Sequence, residues 1–275
     1  MNCQNESLRA LCESIELPGA VTEAVASLAE TMDMRAYAEN MEALLSIKTA
    51  HEACKTITDA LNADASGGDP QGYKLLTVYL SAALLTKDAY AAKGISENVF
   101  VDTMKCFTRF VKEHFVTFGV YGFDRGWWVY RQTSLNLFRL GVLEFEMRDG
   151  SLSVHIPSDA VMTREALDAS YERAKCFFSV YFKDYRYNSI QCGTWLLSPA
   201  LRPLLPEGSR ILNFQMDYEI TSVNPDAQDF MTWVYKKNYP DYGSLPEDTA
   251  LQRAIKGRLL AGGKIGNAAG YYKYM

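Results

Sequence analysis

At 275 residues, 48% of them hydrophobic and 22% charged, the chain is long enough for one large domain or two ordinary ones, with a sizeable buried core. A net charge of −5 argues against a general nucleic-acid binder. No apolar run approaches the roughly 18–20 residues that a membrane helix needs, so no membrane partner is expected.

The first residues, MNCQNESLRALCESIELPG, show neither the basic start nor the apolar core of a secretion signal, and a cytoplasmic protein is expected. Residues 1 to about 118 read as helix. Segments near 5–15, 21–31, 34–47, 49–62, 71–92 and 97–117 carry Leu, Ala, Met and Phe at three-to-four spacing. Pro18-Gly19 separates the first two, and the stretch Asn62 to Pro70, with a Gly pair, is a loop. Leu76, Tyr79, Leu80, Ala83 and Leu84 predict one apolar face for the fifth segment, and Ser96 begins the sixth. No solenoid repeat is present.

Near Phe118 the texture changes to glycine and aromatics, which places a boundary at 118–124. Beyond it the pattern predicts a strand at 127–132 and one at 137–147. In the second, Phe138, Leu140 and Val142 are in phase with each other but out of phase with Leu143, Phe145 and Met147. One extra residue near Gly141, a β-bulge, restores a single apolar face. Asp149-Gly150 then predicts a two-residue type I′ turn into a strand at 151–156, with Arg148 opposite Ser151 and Glu144 opposite His155. A helix follows at about 163–182, with Thr163 as N-cap and Leu167, Tyr171, Ala174, Phe178 and Tyr181 as its buried stripe. After it come a strand at 191–197, a proline-bounded turn at 198–206, a long strand at 211–220, and a helix from Asn224-Pro225 through Val234. A last helix starts near Asp248 or Thr249 and ends at glycines.

Several groups carry candidate chemistry. A Glu144 carboxylate bonded to one nitrogen of His155 orients the ring and strengthens it as a base. As a surface cross-strand pair, the same two residues contribute only roughly a few tenths of a kcal/mol. From Thr249 onward there is no Asp or Glu, while Arg253, Lys256, Arg258, Lys264 and Lys273 are basic, which suggests an anion partner. In Arg258-Leu-Leu-Ala-Gly-Gly-Lys-Ile-Gly, glycines that let backbone N–H groups approach a phosphate are also explained as a helix C-cap. Trp127, Trp128, Tyr130, Trp195 and Tyr218 serve either as pocket walls or as core, and Arg131 and Gln215 are polar groups able to fix substrate carbonyls. The six cysteines are scattered without CxxC or zinc spacing and read as reduced and buried, and three isolated histidines form no metal site.

WWVYRQ, FRLGVLEFEM, SLSVHIP, CGTWLLSPALRPLLP, ILNFQMDYEI and LPEDTALQRAIKGRLLAGGKIGNAAG, in that order, resemble a bacterial family of acyltransferases. Its members join a helical N-terminal domain to a GNAT-like (N-acetyltransferase-like) C-terminal domain. The resemblance covers nearly all of the chain. It implies an α+β fold: an all-helical domain at 1–118, then a GNAT-like mixed domain at 119–275 with a largely antiparallel sheet. It further implies acyl-CoA or acetyl-CoA as co-substrate, no metal, and a small-molecule amine or peptide as acceptor. The thioester then lies at a bulge of a splayed strand pair, and the pyrophosphate on a Q/R-x-x-G-x-G/A loop opening a helix. Thr194 to Pro206 contains no glycine, and the nearest match, Arg258 to Gly263, has Ala261 where the first glycine belongs and follows a helix.

Joined to the residue readings above, this resemblance makes Glu144 and His155 the expected proton-taking pair, Arg258, Gly262, Gly263, Lys264 and Gly266 the expected phosphate contacts, and Trp128, Tyr130, Arg131 and Gln215 the expected substrate contacts. Two alternatives stand beside it. One is a non-catalytic module that binds a small molecule or protein on the same scaffold; the other, ranked behind, is a hydrolase using Cys192 or His155.

Overall fold

The computed structural model describes residues 3–63, 68–237 and 239–274, with side chains from Asn5 onward. It divides into two compact units, Met1–Leu140 and Gly141–Met275. The first contains α1 (Cys3–Ser14), α2 (Gly19–Thr31), α3 (Ala38–Ala43), α4 (Ile47–Asn62), α5 (Tyr73–Ala92), α6 (Glu97–Phe118), α7 (Gly126–Thr133) and the strand β1 (Leu137–Leu140). Part of the loop expected at 62–70 lies outside the described residues.

Within this unit α5 is the hub, packing against α1, α2, α3, α4, α6 and α7. Leu76 through Ala83 are buried on every side, so the single apolar face expected from Leu76, Tyr79, Leu80, Ala83 and Leu84 is incomplete. Over that stretch the helix is surrounded by others and has no solvent face to keep polar; farther on, Leu85, Lys87 and Asp88 are exposed. Its hydroxyls avoid the cost of dry burial by bonding back along the helix: Thr77 Oγ1 donates to the Tyr73 carbonyl at 2.7 Å and Ser81 Oγ to that of Thr77 at 2.9 Å.

The strand expected at 127–132 is instead the helix α7. Gly126, Val129, Tyr130 and Thr133 are buried, a three-to-four spacing that the run of aromatics obscured. The Tyr79 hydroxyl donates to the Gly126 carbonyl at 3.1 Å, tying the start of α7 to the hub.

The second unit contains β2 (Leu143–Arg148), β3 (Ser151–His155), α8 (Arg164–Tyr181), β4 (Ser189–Thr194), α9 (Arg210–Met216), β5 (Tyr218–Asn224), α10 (Ala250–Leu260) and β6 (Asn267–Tyr272). Its strands lie in the order β2-β3-β4-β6-β5. All neighbours are antiparallel except β3 and β4, which α8 joins in parallel. The α+β class with a largely antiparallel sheet therefore holds. α8 is capped by Thr163, whose Oγ1 accepts from the Ala166 amide, and Leu167, Tyr171, Ala174 and Phe178 form its buried stripe, as expected, whereas Tyr181, at the helix end, is only half-buried. α10 starts at a full capping box between Thr249 and Gln252.

Four further expectations for this half are corrected. The run at 137–147 is broken into β1 and β2 at Gly141-Val142: Gly141 has φ +83°, and a Cβ there would lie 2.5 Å from Ser170 Oγ. The sheet's register shift falls in β5 instead, between Ile220 and Ser222. Residues 211–220 form α9 and the start of β5, because Ser209 caps α9 and the Gln215 amide is held by the Leu196 and Ser198 carbonyls. The local cap and those tertiary bonds together override a period-two pattern. The helix expected at 225–234 is reduced to one π-turn, Met231–Tyr235, and β4 ends at Thr194 in the 3-10 turn Trp195–Leu197. The stretch after α10 forms β6, between β4 and β5.

Among the described residues no helix is long and apolar enough to cross a membrane, and no group of three or more His, Cys, Asp or Glu is placed to hold a metal. Cys12, Cys54, Cys106 and Cys192 are buried free thiols, whereas Cys176 is exposed; the Cys3 side chain is outside the described set.

Gly72 has φ +70°, and a Cβ would sit 1.8 Å from the Phe123 carbonyl oxygen. Gly72→Ala is expected to destabilise the protein by about 1–3 kcal/mol, read as a lowered urea midpoint.

Candidate functional site

The β2–β3 hairpin builds the first part of the site. Asp149 and Gly150 take φ 43° and 74°, as a type I′ turn requires, so the register is the expected one: Arg148 pairs with Ser151, Phe145 with Val154 and Glu144 with His155. Because side chains alternate, Glu144, Glu146, Ser153 and His155 share a face. That face is not open: Glu144 and Glu146 are 2% and 4% exposed. Glu146 stands two residues from Glu144, and its Oε2 lies 2.9 Å from His155 Nε2. A carboxylate on one ring nitrogen fixes the imidazole and leaves proton exchange to the other.

The second part is a gap. β3 and β4 pair at Ser151–Ser189, Leu152–Ile190 and Ser153–Gln191, and there the ladder stops. β3 continues to His155 and β4 to Thr194. Their outer edges stay paired, Val154 and His155 with β2, and Cys192 to Thr194 with β6. The two strands thus part at their C-terminal ends, the end of a parallel pair where α/β proteins bind ligands. His155 sits on the parted segment.

The third part is the basic turn. β6 opens beside the C-terminal end of β4, Ala268 pairing with Thr194, so residues 262–266 lead in at the end where β3 and β4 part. Arg258, Gly262, Gly263, Lys264 and Gly266 are brought together there. Gly262, at φ +78°, ends α10, and Gly263 donates to the Arg258 carbonyl at 2.9 Å. Arg258 Nε donates to the Lys264 carbonyl at 2.7 Å, and Lys264 pairs with Asp226 at 2.5 Å. Both members of that ion pair are well exposed, so exchanging the partner costs little.

The remaining candidates form two separate groups. In the first unit, the Arg131 guanidinium lies 4.5 Å from the Trp128 ring and 4.6 Å from that of Tyr130. In the second, Gln215 is buried, donating to the Leu196 and Ser198 carbonyls and accepting from Arg202 Nε. It braces the turn that follows β4. Cys192 is 1% exposed, and burial pushes its thiol well above the ordinary range, the opposite of what a nucleophile needs.

Residues 6–135 match an N-acyltransferase N-terminal domain, and residues 137–272 match a GNAT-like C-terminal domain. The chain joins these two domains. The resemblance read from the sequence is therefore borne out. Solved structures with the same fold include an acyltransferase in complex with decanoyl-CoA and teicoplanin, 24% identical, with a TM-score of 0.78 over 97% of this chain and 87% of that one. An acyltransferase mutant in complex with octanoyl-CoA is 24% identical, with a TM-score of 0.76 over 98% of this chain and 88% of that one. At that identity the likeness establishes the fold. A search of curated proteins gave no significant match.

The residue that sequence reasoning missed in the GNAT-like domain is Glu146. Its signal was present: it shares the parity of Glu144 and is a diagonal neighbour of His155 across the hairpin.

The glycines of the basic turn separate by their surroundings. A Cβ on Gly266 would lie 2.3 Å from the Asn224 carbonyl oxygen, whereas one on Gly262 would meet nothing within 4 Å. In urea denaturation, Gly266→Ala is expected to cost about 1–3 kcal/mol and Gly262→Ala about 1 kcal/mol.

Proposed function

We propose that the protein is an acyl-CoA-dependent N-acyltransferase whose thioester lies where β3 and β4 part. The observation that carries this is the ladder that ends at Ser153–Gln191 while both strands run on, with His155 at the opening. Parted strands present backbone N–H and C=O groups that the sheet has not used, and an N–H there suits a thioester carbonyl whose oxygen gains charge during attack.

In this reading a neutral acceptor amine attacks the thioester carbon. The C–N bond forms, the C–S bond breaks, and CoA leaves as the thiolate. The proton lost by the amine passes to His155, directly or through water, and from there to the thiolate sulfur. Glu144 stands opposite His155 on the same buried face, beside the ring that takes the proton. Arg258 and Lys264, with the backbone of Gly262, Gly263 and Gly266, meet the phosphates. The turn's place at the same end of β4 supports this, as does the exchangeable Lys264–Asp226 pair. Trp128 and Arg131, half-buried, are the N-terminal domain's groups for substrate, with the buried Tyr130 ring backing the Arg131 guanidinium, and Gln215 contributes by holding the turn after β4.

Solved relatives of the same fold hold decanoyl-CoA or octanoyl-CoA, and one also holds teicoplanin, which favours a medium-chain acyl donor and a peptide-like amine acceptor. The buried free thiols fit a reducing cytoplasm.

Acetyl-, octanoyl- and decanoyl-CoA, each at a millimolar concentration, provide the test. A ligand at about a hundredfold its dissociation constant is expected to raise the melting temperature by about 5–10 °C. No shift with any of the three overturns the reading. His155→Ala is expected to keep that shift while lowering the rate of CoA release to an amine by about 10²–10⁴-fold. Unchanged release removes His155 from the reaction, and a shift without release from wild-type protein across an amine panel marks a non-catalytic binding module.

A further inference from the structure

We infer that Glu146 is the positioning residue for His155: it holds Nε2 as the N–H nitrogen, which makes Nδ1 the nitrogen that takes the amine proton. The tautomer is inferred from the Glu146–His155 contact; the use made of Nδ1 rests on the N-acyltransferase reading above.

The strand register pairs Glu146 with Ser153, not with His155, so the contact runs diagonally across the hairpin on one face. Its length is 2.9 Å, and the two side chains are 5% and 21% exposed. An ionised carboxylate has only acceptor sites, so the ring nitrogen facing it carries hydrogen. The Arg148 guanidinium faces the same Oε2, its Nε at 3.7 Å. Both partners stand on strands whose register the Asp149-Gly150 turn sets, and Glu146 is nearly dry, so the bond is poorly screened. A ring held at Nε2 also keeps its plane when Nδ1 gains a proton, and the imidazolium that forms is stabilised by the carboxylate behind it. Glu144 sits directly opposite His155 on the same face, so this face carries two carboxylates with separable roles.

The test begins with long-range proton–nitrogen correlation spectra of the wild-type imidazoles, assigned by the loss of one set in His155→Ala. The expected pattern for His155 is the Nε2–H tautomer, with a downfield Nε2 proton that exchanges slowly with water and disappears in Glu146→Leu. A wild-type Nδ1–H pattern, or a proton that survives Glu146→Leu, overturns the assignment. The wild-type spectrum needs no variant at Glu146, so a Glu146→Leu chain that fails to fold leaves the test standing, and Glu146→Gln then serves in its place.

The kinetic arm follows thiol release from decanoyl-CoA with teicoplanin as acceptor. Glu146→Gln is expected to lower kcat by about tenfold or more, with KM for decanoyl-CoA within about twofold. Loss through KM alone argues for a merely structural role and against positioning. If His155→Ala and Glu146→Gln both leave turnover intact, His155 is not the base, and the N-acyltransferase mechanism fails while the spectra still decide the Glu146–His155 bond.

Discussion

The geometry of the GNAT-like domain depends on the register of the β2–β3 hairpin, and that register depends on two residues. Asp149 and Gly150 both take positive φ, which only a tight type I′ turn asks of consecutive residues. A slip of one residue would send every side chain of β3 to the other face. His155 would then leave the face it shares with Glu144 and Glu146, and Val154 would leave the apolar face where its partner Phe145 packs edge-on to Tyr171 of α8. Buried carboxylates on one side and a buried aromatic layer on the other make such a slip costly in both directions.

Given that register, the parallel pairing of β3 and β4 has room for only three pairs before the strands part. α8 makes the crossover and packs its stripe on the apolar face, where Tyr171 stacks on Tyr272 of β6 at 3.8 Å and shares a hydrogen bond with Tyr218 of β5. The long excursion from β5 to β6 builds a second apolar cluster, with Phe230, Tyr235, Ile255 and Leu259 fully or nearly buried. It returns the chain through Gly262 and Gly266 so that β6 enters between β4 and β5. The basic turn is thus first a connection with tight steric demands, and whatever anion it meets must use groups already arranged for that purpose.

Much of this was legible in the residues. The helices of the first unit, the Thr163 cap and stripe of α8, the Asp149-Gly150 turn and the Thr249 helix start all rest on local chemistry: hydrophobic period, capping side chains, positive-φ residues. The errors fall where contacts distant in sequence decide. Trp127 to Gln132 looks like a strand because aromatics favour strands, yet it packs as a helix against α5. Residues 211–217 alternate apolar and polar, yet Ser209 and the carbonyls at Leu196 and Ser198 hold them helical. For the site, the Glu144–His155 pairing was readable because one turn sets it. For Glu146 the parity marked the right face, but the bond itself depends on strand twist and side-chain rotamers.

By itself the sequence determined the class of the fold, the face on which the polar residues of the hairpin lie, and the kinship that points to acyl transfer. These are properties of local periodicity and of ordered motifs, which survive without knowledge of what packs where. Only the tertiary structure decided that β3 and β4 part beside His155, that the glycine-rich tail is a strand inside the sheet, and which carboxylate holds the imidazole. The first two depend on segments far apart in the chain meeting in one sheet; the third, within one hairpin, depends on strand twist and rotamer, which no residue pattern encodes.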